Sequence, residues 1–269
     1  MSGRITPYEA LLYPLETASW PAIREEAEHR GSDTRRRDQF VLLGGVGAAL
    51  RDIIPEDAPG DAVEEYAELL YHAYQFWSFG KRLYVLTPPA LELLAASEYS
   101  LGSWELAAPP SCYIQFPEQR VWARVTMDSP FEPVDGCFVV VDETAPAPLA
   151  GAHLRAQLVL GLRPDRPGIS LVSYRTDLDP AAVAVHAERP WRADAQPFGN
   201  AIPGGERNAL HAITTTSELE AIVLRALHYL DRHSDRLVAR DPDGGEDATT
   251  MPYTEFRGKP GASEAPPAR

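Results

Sequence analysis

The chain has 269 residues, 44 % of them apolar, and no apolar run approaches the roughly 18 residues that a membrane-spanning helix requires. Its formal charge of −14 and pI near 4.9 argue against nucleic acid as a partner, because a net negative field repels phosphate backbones at long range. The opening MSGRITPYEALLYPLETASW is interrupted by Pro and Glu and is not patterned as a signal peptide, so the expected setting is cytoplasmic.

In chain order, the first expected helix is capped by Ser19, carries Pro21 in its first turn and stops at Gly31. A second, capped by Asp33 or Thr34, runs to Pro55 with Phe40, Leu43, Val46, Leu50 and Ile53 on one stripe. The third has the clearest pattern. Asp61 and Glu64 form a capping-box-like pair, Val63, Tyr66, Leu69, Leu70, Ala73, Tyr74 and Trp77 supply the apolar face, and Gly80 ends it. RLYVLT then reads as a strand, and Thr87 with Pro88 and Pro89 opens a short helix.

Between about 111 and 176 the apolar period shifts towards two in SCYIQFP, RVWARVTM, GCFVVVDE, RAQLVLGLRP and GISLVSYRT, which predicts an antiparallel sheet of about five strands joined by short loops. Residues 177 to 212 are weakly patterned, and a last helix begins at Ser217 with Leu219, Ile222, Val223, Ala226, Leu227 and Leu230 on one side. The fold class is α+β, with the N-terminal helices and the late helix covering one face of the sheet. Residues 1–239 form one domain. Residues 240–269, acidic and rich in Pro and Gly, are expected to be a disordered tail.

The chemistry-bearing residues form no established motif. Cys112 and Cys137 sit in apolar strands as small hydrophobes, and no two histidines stand four apart on a helix, so neither a metal nor another cofactor is expected. FVLLGGVGAAL places Gly44, Gly45 and Gly47 in an apolar run, but the third glycine of a dinucleotide fingerprint would fall at Leu50 and no βαβ unit follows. Close helix packing accounts for these glycines instead. Arg35, Arg36 and Arg37 form the most basic patch, and neighbouring acids offset it.

Aromatic residues crowd the passage from helix to sheet. On a period of two, Cys112, Ile114 and Phe116 share a face with Val121, Ala123 and Val125, the natural core side. Tyr113, Gln115, Trp122 and Arg124 fall on the other face, and with Asp135 they make the candidate binding set, since Trp, Tyr and Arg anchor protein interfaces; the structural alternative is that helices cover this face too and bury both rings. The alternative is an enzyme whose cleft is assembled from Glu132, Asp135 and Arg124.

HAYQFWSFGKRLYVL, PPSCYIQFPEQRVWARV and EPVDGCFVVVDE together resemble the core of a family related to one type V anti-CRISPR inhibitor, at Trp77, Tyr84, Pro110, Cys112, Tyr113, Gly136 and Phe138. The similarity covers about residues 70 to 235, and the chain departs from the family in having an acidic, Pro-rich tail where the inhibitor has a basic region. The resemblance implies a non-enzymatic protein-binding scaffold from a defence or mobile-element context. The functional expectation is therefore a non-catalytic binding or accessory protein whose partner is another protein.

Overall fold

The computed structural model describes residues 6, 8–54, 62–96, 110–117, 120–123, 132–142, 153–160, 170–177, 222, 223, 225–227, 229, 230, 237–240 and 251–256. After two helical turns at Tyr8–Leu12 and Tyr13–Glu16, α1 spans Ser19–Arg30 and buries Trp20, Ile23 and Ala27 along one side. Ser19 is the first residue of this helix rather than its cap, and the chain leaves through Gly31, whose φ of 65° a side chain would strain.

The expected second helix is broken in two, α2 at Arg37–Phe40 and α3 at Gly44–Ile53. The break puts Leu42 out at 75 % exposure and lets α3 start against α1. There the Glu26 carboxylate accepts the Gly44 and Gly45 N–H groups at 2.9 and 2.8 Å, capping α3 from a neighbouring helix. A Cβ on Gly45 would lie 2.8 Å from Ile23 Cγ1, so this glycine serves close packing, whereas a Cβ on Gly47 would meet nothing within 4 Å.

The third expected helix is α4, Ala62–Ser78, and its residues 67–76 are buried without interruption, although Val63 at its start is exposed. A helix enclosed on all sides must satisfy its polar groups internally. Gln75 Nε2 donates to the Thr34 carbonyl at 2.6 Å, the Tyr71 hydroxyl donates to the Arg35 carbonyl at 2.5 Å, and Glu68 pairs with Arg37. These bonds fasten the segment before α2 onto α4. His72 is a core histidine whose Nδ1 donates to the Glu68 carbonyl at 2.9 Å.

Among the described residues there are eight strands, β1 Leu83–Leu86, β2 Ser111–Gln115, β3 Trp122–Ala123, β4 Glu132–Asp142, β5 His153–Leu160, β6 Ser170–Asp177, β7 Leu237–Arg240 and β8 Tyr253–Phe256, with α5, Pro88–Ala96, between the first two. Thr87 caps α5 as its sequence predicts, accepting the Ala90 N–H at 3.4 Å. Strand order is β6-β5-β4-β2-β1-β8-β7, and β3 pairs with β4 off this path. The sheet is mostly antiparallel, but β1 lies parallel to both β2 and β8. The α+β class and the mostly antiparallel sheet are as expected, with two additions: the crossover from β1 to β2 passes through α5, and β7 and β8 enlarge the sheet.

The sheet is covered on both faces. Cys112, Ile114, Cys137 and Val139 pack with Leu91 and Leu94 of α5 and with Val223 and Leu227, which lie in the late helical segment. Tyr113, Phe138 and Val140 pack with α1, α3 and α4. The N-terminal helices and the late helix thus take opposite faces, not one shared face, and the central strands are buried on both sides. The expected tail also changes character, because β8 lies between β1 and β7 and Phe256 is fully buried against Tyr84 and Tyr229. Residues 241–250 and 257–269 lie outside the described residues.

Candidate functional site

The period-two reading of β2 holds, in that Cys112 and Ile114 face one side and Tyr113 the other. The structure nevertheless corrects the assignment of Tyr113 and Gln115 to an outer face, since α4 and its neighbours bury both. Tyr113 lies across from Phe138 in register with ring centroids 4.5 Å apart, and its hydroxyl donates to Asp135 Oδ2 at 2.5 Å. Asp135 reaches this side through a bulge. The β4–β5 register shifts between Val134 and Gly136, so that Val134 and Cys137 share one core while Asp135 turns to the ring.

Gly136 makes that approach possible: a Cβ there would stand 2.4 Å from the Ile114 carbonyl oxygen and 2.6 Å from the Tyr113 hydroxyl. Asp135 is 1 % exposed and held by Tyr113. Arg124 and the side chain of Glu132 lie outside the described residues.

Trp122 is different. It occupies β3, opposite Pro133 of β4, and remains 47 % exposed, whereas Trp20 is wholly buried and Trp77 is covered by the Arg24 guanidinium 4.2 Å above its ring. Glu132 stands opposite Ala123, one position along the same short ladder. The hairpin therefore presents a half-exposed aromatic ring beside an acidic sequence position.

A second feature, absent from the sequence reading, lies where β1 and β8 begin and β7 ends. Residues from these three strand ends line an open cavity of about 450 Å³. Lys81, Arg82 and Arg240 stand around it with Tyr84 and Tyr253, and Met251 is buried in its wall. Gly80 at φ 88° and Lys81 at φ 54° turn the chain from α4 into β1, and Lys81 is the described non-glycine residue with positive φ. Lys81 Nζ pairs with Glu16 at 2.9 Å. Glu16 also lies near the Tyr8 hydroxyl, which accepts Trp20 Nε1–H at 3.1 Å, so this cation neighbours the N-terminal core. Burial first, and the Glu16 carboxylate second, push the Tyr8 phenol above its ordinary range.

The other singled-out groups are engaged elsewhere. Cys112 and Cys137 are free and buried, and burial raises the Cys112 thiol, so it stays protonated and non-nucleophilic. Arg35, Arg36 and Arg37 pair with Asp33, Asp38 and Glu68. Among the described residues no three His, Cys, Asp or Glu side chains converge as metal ligands, and no helix is long and apolar enough to cross a membrane. No protein-family model and no curated protein matches this sequence.

Proposed function

We propose that the chain is a non-catalytic binding protein that engages a basic segment of another protein through the hairpin carrying Trp122. The observation that supports this most is the half-exposed indole on β3, the kind of rigid aromatic anchor that dominates interface energetics. The acidic surface adds to it, since a chain of net charge −14 attracts cationic partners and the face of a tryptophan accepts Lys or Arg. The reactive groups point the same way. The buried thiol of Cys112 and the buried carboxylates of Asp135 and Glu68 are tied into the core rather than placed around a substrate. A defence or mobile-element setting, which the anti-CRISPR-like core implies, is the biological part of the proposal.

Affinity co-purification from cells of the source organism tests it, with wild type and Trp122→Ala run in parallel. The expected outcome is a protein of net basic charge retained by the wild type and lost with Trp122→Ala, while the variant's thermal unfolding stays close to wild type. Recovery of the same proteins with both chains would contradict the proposal.

A further inference from the structure

The cleft at the ends of β1, β7 and β8 is independent of the Trp122 hairpin, and we propose that it binds a small organic anion, a phosphomonoester or polycarboxylate on an apolar or aromatic body. Lys81, Arg82 and Arg240 come from two stretches of sequence some 160 positions apart, and the strand pairing brings them around one cavity. This happens in a chain where acidic residues outnumber Lys and Arg by 39 to 25 and only Lys81 and Lys259 are lysines. Three cations thus meet at one cavity against that overall balance, although Lys81 and Arg240 each also contact a carboxylate, Glu16 and Glu255, outside its lining.

Two of the cations are held in place: Arg240 meets Glu255 through Nε at 3.1 Å and Lys81 pairs with Glu16, while Arg82 is exposed at the rim. Fixed guanidinium groups bind phosphate and carboxylate oxygens with less ordering cost than mobile ones. Tyr84, Tyr253 and the buried Met251 give the same cavity an apolar wall, which suits a ligand with a body as well as a charge. The volume of about 450 Å³ falls within the roughly 300–1,000 Å³ of small-molecule sites.

Size decides between ligand classes. A nucleic acid or acidic polypeptide would extend beyond the cleft along a surface of net negative charge and be repelled over a screening length of about 8 Å. A small anion seated among the three cations avoids most of that repulsion.

Isothermal titration of the full chain with AMP, citrate and inorganic phosphate tests the proposal, with adenosine as the uncharged control. AMP or citrate should bind saturably and more tightly than inorganic phosphate, and adenosine should not bind detectably. Arg82→Gln with Arg240→Gln should weaken binding by about tenfold or more, as expected on losing charge-assisted hydrogen bonds. Arg82→Gln alone, at an exposed position, should give a smaller loss with unchanged thermal unfolding, and Arg51→Gln on α3 should change nothing. Absence of saturable binding by AMP and citrate, equal affinity for AMP and inorganic phosphate, or indifference to the Arg82 and Arg240 changes would overturn it.

Discussion

At the scale of single residues, Tyr113, Asp135 and Gly136 act as a unit, because the ring crosses the glycine to place its hydroxyl on the carboxylate. Gly136→Ala would force a methyl group against the Ile114 backbone carbonyl, which cannot retreat without opening the β2–β4 ladder. Urea denaturation should show a loss of about 3 kcal/mol or more, the upper range for overpacking. Tyr113→Phe should cost about 2–3 kcal/mol by removing a hydrogen bond to a buried carboxylate. Adding Asp135→Asn should then cost less than the sum of the single changes, because the two residues share the interaction. Glu26 supplies a pH-dependent counterpart on the surface. Hydrogen bonds from Gly45 and Gly44, with a smaller contribution from Arg30, hold its carboxyl below the ordinary 4.5. Its contribution is therefore complete above pH 4.5 and lost as the pH falls through the depressed value. Thermal unfolding across that range should fall less steeply for Glu26→Gln than for wild type.

Among the elements, those with local signals were legible. The apolar stripe of α4, the Thr87 cap of α5 and the alternation of Cys112, Tyr113 and Ile114 all follow from spacing within a few residues. The split between α2 and α3 was not, because the second helix starts on a cap donated by Glu26 from α1, a contact invisible to helical periodicity. Gly45→Ala should accordingly destabilise despite the better helix propensity of alanine, by about 1–3 kcal/mol as Ile23 is displaced. The inward position of Asp135 was hidden for a related reason, since the bulge between Val134 and Gly136 breaks the strict alternation of the strand. β8 was hidden by composition: its pairing with β1 joins residues about 170 positions apart, and Tyr253 and Phe256 sit among Gly, Pro and acidic residues. Truncation after residue 240 is therefore expected to unfold or strongly destabilise the protein, where composition alone predicted no effect. Phe256→Ala should by itself cost about 3–5 kcal/mol in chemical denaturation.

For the molecule as a whole, the central strands are enclosed on both faces, and the proposed recognition lies at the margins of the sheet. The residues expected to bind a partner from the sheet face were largely internal, and the two surviving features are the Trp122 hairpin beside β4 and the cationic cleft at the far strand ends. The first was legible in part, because Trp122 was singled out by residue type and by strand period. The second was not, because it exists only once residues 80–84, 239–240 and 251–254 are paired. The two sites separate in their expected response to partners, and amide hydrogen exchange of the chain alone and with its co-purified protein partner tests the assignment most directly. Protection should appear in residues 120–123 and at Glu132 opposite them, with residues 81–84 and 239–240 unchanged. Protection confined to other parts of the chain, with the Trp122 hairpin exchanging as in the free protein, would contradict it.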